Sequence, residues 1–246
     1  RIKEAIEKDR FVLARQPIVN TSTRKIESHE ILIRMLDERN ELIMPSGFLS
    51  TAERFGLSAE IDKWVIHHAI EDLVRRRQES PHLRYAINLS GRTLTTPGIC
   101  ELIQDKISEA GLDPSALTFE VTETVAISDM AAAEIFLSRL RSMGCHTALD
   151  DFGSGMASFA YLKDLPVDYV KIDGRFVKNM ADSAVDQAMV KAMNEIAHAL
   201  GKQTIAEFVE NEECFLLLAE FGVDYGQGYY LGRPEIEKPY PPKVLS

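Results

Sequence analysis

An alternation of two patterns limits this chain to few folds. Short runs rich in β-branched and aromatic residues recur at 11–19, 25–35, 84–89, 117–122, 146–150, 168–172, 203–207 and 223–227. Between most of them lie stretches of helical periodicity, at 59–78, 98–110, 128–143, 184–200 and 211–221. Shorter helices fit near 46–55 and 157–163. Ser128 and Asp129 supply N-cap chemistry for the third long helix, and Gly144 and Gly201 stand where helices should end. Strands separated by helices predict a parallel sheet, closed into a (β/α)8 barrel or left as an open doubly wound sheet. The first two strands depart from that rule. Only the five residues at 20–24 (NTSTR) join them. A parallel crossover needs about a dozen or more, so the pair is expected to be antiparallel. The expected fold is α/β: a modified (β/α)8, TIM-like barrel with an antiparallel first strand pair.

The 246 residues suit one such barrel. Composition does not shift midway, so residues 1–246 read as a single domain with its core at about 11–234. The tail PEIEKPYPPKVLS is rich in proline and cannot continue a helix. The chain opens on Arg1 and the charged run RIKEAIEKDR, which has no signal-peptide core, so a domain cut from a longer protein is expected. No uncharged apolar run approaches the ~20 residues that span a bilayer. Cys100, Cys145 and Cys214 form no CxxC pair and read as buried apolar side chains in a reducing, cytoplasmic compartment. Lys and Arg number 28 against 38 Asp and Glu, a formal charge of −10. That balance argues against duplex nucleic acid, which is bound by neutralising phosphates. It leaves a phosphate-bearing ligand open, because bound cations invert a local field.

Polar residues gather where these strands should end: Glu30, Asn88, Glu120, Asp150 with Asp151, Lys171, Glu207 and Gln227. Side chains alternate across a strand. Glu30 therefore shares a face with Leu32 and Arg34, while Ile31, Ile33 and Met35 take the other. Lys171 and Asp173 likewise stand opposite Val170 and Ile172. One face suits packing under helices, and the other converges on the barrel mouth, where barrel enzymes place their chemistry. So many acids in one mouth would raise one another's pKa unless cations compensate. Lys171 and Arg34 are too few. An all-oxygen donor set suits Mg²⁺ or Mn²⁺ rather than zinc. If the backbone turns at the strand end, Asp150 and Asp151 can both face the mouth and hold two ions ~3.5–4 Å apart, the arrangement for attack on phosphate esters. The glycine-bearing segment DDFGSGMASFAYL at 150–162 reads as a functional loop above this site. His67 and His68 read as a helix packing pair, His29 has the wrong parity, and His146 lies at the wrong end of its strand. The arginines at 75–77 read as a solvated helix end, and Trp64 as core or interface.

At these residues the sequence resembles the EAL-domain family of cyclic di-GMP phosphodiesterases. The matching segments are QPIV (16–19), EILIR (30–34), INLS (87–90), FEVTE (119–123), LDDFGSG (149–155), LPVDYVKID (165–173), AEFVE (206–210) and GQGYYLGRP (226–234). The resemblance implies Mg²⁺- or Mn²⁺-dependent hydrolysis of cyclic di-GMP to linear pGpG, with two ions per site. It implies metal ligation by Glu30, Asn88, Glu120, Asp150 and Asp151. Glu207 becomes the general base, Lys171 a contact to the attacking water or second ion, and Gln227 the site's glutamine. Gln16, Leu32, Arg34 and Asp173 become substrate-binding residues. Glu123 becomes the anchor of the loop at 151–162, which the family links to dimerisation. A homodimer, and sensory or GGDEF domains upstream, sometimes with a membrane tether, are also implied. Two residues depart from the family pattern. Ile31 replaces the signature alanine but faces the helices by parity. Phe208 replaces a glycine beside Glu207, and it would be strained if that position needs φ > 0. The alternatives to an active phosphodiesterase are a non-hydrolytic cyclic di-GMP receptor and a partner-binding regulatory module.

Overall fold

A computed structural model describes residues 1–155 and 159–236. The hairpin at its start explains the irregularity of the barrel. Asn20 turns its side chain onto the amides of Ser22 and Thr23, at 3.0 and 2.8 Å, and Arg24 takes a left-handed φ of 57°. The chain therefore reverses at once, and β1 (Phe11–Asn20) pairs antiparallel with β2 (Ile26–Leu36).

Six parallel strands follow β2: β3 (Tyr85–Asn88), β4 (Leu117–Thr122), β5 (His146–Phe152), β6 (Tyr169–Ile172), β7 (Gln203–Ala206) and β8 (Tyr225–Gly226). Strand β8 pairs with β1, antiparallel, and the eight strands close in sequence order. The expected modified barrel is thus the observed one, and the open sheet is excluded. Residues 42–43 extend the edge of β2, and residues 235–236 pair with β1.

Helices α1 (Ser58–Arg77), α2 (Ile99–Ala110), α3 (Met130–Ser142), α4 (Ala184–Ala199) and α5 (Glu212–Glu220) pack outside. Their apolar stripes meet the outward strand residues, so Ile66, Leu73, Ile103, Leu137, Val190 and Phe215 share one core with Ile31, Ile87, Phe119, Leu149 and Val170. Ile31 faces the helices as parity requires. All three cysteines are buried.

The barrel interior is layered. Ile18, Ala86, Ala148, Tyr169, Ile205 and Tyr225 form a separate apolar cluster. Each stands two residues from Gln16, Asn88, Asp150, Lys171, Glu207 or Gln227, so it shares that residue's face one pleat lower. On these six strands the inward face is apolar below the mouth, whereas β2 and β4 place Ser28 and Thr118 at that level.

Several boundaries differ from the expected ones. The helix expected at 128–143 is α3, which starts at Met130 behind its Asp129 cap, and a short helix that was not expected, Glu123–Ser128, precedes it. Thr122 receives the amide of Val125 at 3.3 Å, and Asp129, at φ −147°, receives that of Ala132 at 3.0 Å. Gly144 then ends α3 at φ 92°. Strand β8 is shorter than 223–227, because Val223 donates its amide to Leu218 and accepts from the Thr21 hydroxyl. The core also reaches beyond 11–234. Ile2 and Ala5 of a helix at Ile2–Glu7 are buried, and Glu235 and Ile236 pair with Arg15 and Ala14. The arginines at 75–77 are not simply solvated. Arg75 and Arg76 pair with Asp72, which also holds Arg15 at 2.9 Å and the Tyr85 hydroxyl at 2.6 Å. Of the short helix expected at 157–163, residues 157 and 158 lie outside the described residues, and Phe159–Lys163 is a 3₁₀ turn.

Candidate active site

Each barrel strand delivers at least one polar side chain to the mouth. Gln16 comes from β1, Glu30 from β2, Asn88 from β3, Glu120 from β4, Asp150 from β5 and Lys171 from β6. Glu207 and Gln227 follow the last residues of β7 and β8. Register sets them side by side: Gln16 lies opposite Glu30, and Asn88 opposite Glu120.

Lys171 occupies the centre with 0% of its side chain exposed. Its Nζ donates to Glu120 Oε2 at 2.8 Å and to Glu30 Oε2 at 3.2 Å. Ion-pair contacts at 3.1 Å reach Asp150 Oδ1 and Glu207 Oε1. Glu30 is held from both sides as well. The Gln227 amide donates to Oε2 at 2.6 Å and the Asn88 amide to Oε1 at 2.6 Å. Gln227 also donates to Gln16 Oε1 at 3.2 Å, and Gln16 donates to the Gly232 carbonyl at 3.1 Å.

One ammonium cannot neutralise so many carboxylates, and their proton affinities show it. Burial pushes Glu30 up, but Lys171 and the two amides outweigh it and leave its carboxyl below the ordinary range. Burial pushes Glu120 well up, against the pull of Lys171 and with help from Glu30 and Asp150. Burial, with Asp150 and Glu30 adding to it against Lys171, pushes Glu207 up to about 8. Asp151 is raised by burial, then by Asp150 and Asp173. Lys171 loses affinity through burial, but the four acids around it hold its proton far more tightly than usual.

The backbone turns at the end of β5 and brings the adjacent aspartates together. Asp151 has φ 56°, a conformation that Asp tolerates better than most residues, and the β5–β6 register shifts after Leu149. Oxygens of Asp150, Asp151 and Glu207 lie within 4.8 Å of one another. Glu120 Oε1 is buried and has no hydrogen-bond partner. An oxygen-only cage with an orphaned carboxylate oxygen and surplus negative charge fits a hard divalent cation.

Beside this cage a cavity of about 290 Å³ is lined by Gln16, Glu30, Leu32, Arg34, Glu207 and Gln227, as the parity of β2 requires. Phe208, Glu210, Gly228 and Tyr229 also line it. Glu210, Gly228 and Tyr229 had no role in the sequence reading, although they lie inside AEFVE and GQGYYLGRP. Asp173 does not line the cavity. Its Oδ1 caps the helix Gly174–Val177 through the Arg175 amide at 2.8 Å, and Oδ2 meets the Arg175 side chain at 3.0 Å. Phe208 has φ 54°, the left-handed strain the sequence raised, which costs about 1–2 kcal/mol for a residue with a β-carbon.

Glu123 is buried at the start of its helix and holds the β5 loop. Its Oε2 accepts from the amides of Gly153 and Gly155, at 3.1 and 3.0 Å, and from the Ser154 hydroxyl at 3.3 Å, while Oε1 accepts from Tyr161. Glu123→Ala should release this loop without unfolding the barrel. Hydrogen exchange should accelerate at the Gly153 and Gly155 amides, with protection in β6 and β7 unchanged. Equal protection at those two amides in both proteins would contradict the anchoring.

A second group that could hold a cation, His67, His68 and Glu71, lies on the outer helix α1. His68 is already engaged: its Nδ1 meets the Trp64 carbonyl at 2.8 Å, its ring stacks on Trp64 at 3.9 Å, and Nε2 faces Asp9 at 3.3 Å. His146 pairs with Asp168 at the far end of the barrel, and His29 packs edge-on to Tyr85.

The chain matches a known family. The EAL domain profile matches residues 1–234. A cyclic di-GMP phosphodiesterase of Escherichia coli K12, PdeF, is 39% identical over 96% of this chain and 31% of its own length. PdeB of Shewanella oneidensis MR-1, of the same description, is 42% identical over 96% of this chain and 28% of its own. The chain thus spans about a third of the length of the curated relatives it matches. Among solved structures, the PaMucR phosphodiesterase in complex with c-di-GMP superposes with a TM-score of 0.89 at 33% identity, covering 95% of each chain. The FimX EAL domain of Pseudomonas aeruginosa, bound to c-di-GMP, gives 0.89 at 30% identity, covering 95% of this chain and 94% of its own. The chain belongs to the EAL domain family.

Proposed function

We propose that this domain hydrolyses cyclic di-GMP to linear 5′-pGpG with Mg²⁺ or Mn²⁺, two ions per site. The observation that carries the reading is the undiminished acid set. Glu30, Glu120, Asp150 and Glu207 all surround Lys171, with an amide on each side of Glu30. Glu30, Asn88, Glu120, Asp150 and Asp151 would hold the cations, which supply charge neutralisation at the phosphate and acidify water. Glu207 takes the proton of the attacking water. Lys171 keeps the acids at a fixed spacing and donates toward the nucleophile. Water oxygen bonds to phosphorus as the bond to the 3′-oxygen breaks, and that oxygen leaves with a proton. Gln16, Leu32 and Arg34 form the wall on which the dinucleotide lies, with Asp173 nearby.

Chromatography of a reaction with cyclic di-GMP and Mn²⁺ should show pGpG. Glu30→Ala, which removes the carboxylate shared by Lys171, Asn88 and Gln227, should abolish it. Binding without any product from the parent protein would instead make the domain a receptor.

Three further proposals concern the setting. The domain works as a homodimer, supported by the exposed Ile127 and Ile135 on the helices after Glu123; light scattering tests this. Sensory or GGDEF domains precede it in the full-length protein, supported by the share of the relatives that it spans. It acts in the cytoplasm. Among the described residues no helix is long and apolar enough to cross a membrane.

A further inference from the structure

We propose that Phe208 is a stacking platform for a base of the substrate and so helps to hold a cyclic dinucleotide in the cavity. The inference rests on the reading of the site as a cyclic dinucleotide hydrolase. The backbone is the first observation. Phe208 sits at φ 54° between two residues whose amides are fixed: Glu207 donates to the Ile172 carbonyl at 3.2 Å, and Val209 to that of Gln227 at 3.0 Å. These two bonds fix the residues on either side of the turn at 208, and strain of this kind clusters where function uses it. Exposure is the second. A large aromatic side chain is left 57% exposed, on the wall of the same cavity as Glu30, Glu207 and Gln227.

Support for the ring is the third observation. A β-carbon on Gly174 would lie 2.0 Å from Phe208 Cδ2 and 2.8 Å from its Cβ. The missing side chain at 174 therefore makes the bed on which the ring rests, and the rest of the ring is open to the cavity. A rigid, apolar ring at the mouth of a polar cage offers nothing to phosphate. It offers a π-face to a base, and every base has one. The strained backbone is thereby explained as the means of turning that face outward.

The test uses Phe208→Leu and Phe208→Tyr in the intact domain, each checked for a native circular dichroism spectrum. With cyclic di-GMP and Mn²⁺, Phe208→Leu should raise KM roughly tenfold, the worth of one base–aromatic stack, with a much smaller change in kcat. Phe208→Tyr should keep KM within about twofold of the parent, since a tyrosine ring stacks as a phenylalanine ring does. A cyclic dinucleotide carrying 2-aminopurine in place of one guanine should lose fluorescence on binding the parent and the Tyr variant, but not the Leu variant. A folded Leu variant with the parent's KM and the parent's quenching overturns the proposal. A parent that yields no pGpG but still quenches the analogue would overturn the hydrolase reading and leave the stacking intact.

Discussion

Lys171→Met should lower the thermal midpoint of the metal-free domain by about 10 °C at pH 8. Among the described residues Lys171 is the one ammonium in contact with Glu30, Glu120, Asp150 and Glu207, and it is fully buried. Breaking a buried ion pair from one side costs roughly 3–5 kcal/mol, because the partner charges stay behind without compensation. For a domain of this size each kcal/mol moves the midpoint by roughly 2–4 °C. Methionine keeps the length and volume, so the loss reports charge rather than a cavity. The stranded acids can escape by taking up protons, and the deficit should therefore be smaller at pH 5 than at pH 8. Millimolar Mg²⁺ should recover part of it, since a ligand of the native state stabilises by mass action. An unchanged midpoint at pH 8 would show that the four acids are already neutral and that Lys171 does not organise them.

The distribution of acids also changes what the net charge of −10 means. Spread over a surface, it would simply repel polyanions. Here five acids (Glu30, Glu120, Asp150, Asp151 and Glu207) meet at one mouth, and the raised proton affinities of Glu120, Asp151 and Glu207 mark a place that lacks positive charge. Whatever cation fills it brings with it a preference for an anionic ligand.

Much of this was readable in the sequence because side-chain alternation is a strict rule. The parity of 30, 32 and 34 places Glu30, Leu32 and Arg34 on one cavity, and Ile31 under the helices. The short link at 20–24 announces the antiparallel pair. What parity cannot give is backbone outside the strand. It could not say that Asp151 turns at φ 56° to join Asp150, or that Asp173 spends its carboxylate on a helix cap. It also does not show that six of the eight inward faces become apolar one pleat lower, since each strand has only one or two inward residues there. The helix at 128–143 is legible from its Asp129 cap, whereas the six-residue helix before it, capped by Thr122, is too short for periodicity to reveal.

Glu207→Gln should cut turnover of cyclic di-GMP by roughly 10²–10⁴-fold, the usual worth of a positioned general base. The same substitution carries a second signature that needs no activity at all. In the metal-free domain the Glu207 carboxyl is pushed from its ordinary 4.5 up to about 8, first by burial and then by Asp150 and Glu30, against Lys171. Between those values the native state keeps a proton that the unfolded chain has released. The native state then binds more protons than the unfolded one, so this group subtracts stability as pH rises from 4.5 to about 8 and levels off above. Glutamine does not titrate and lacks that slope. The thermal midpoint of Glu207→Gln should therefore gain on that of the parent between pH 5 and pH 8.5, in chelator and at fixed ionic strength. Mn²⁺ should shrink the difference, because a cation beside the carboxylate favours its charged form. If the gap between variant and parent is the same at both pH values, Glu207 is already ionised in the folded, metal-free domain.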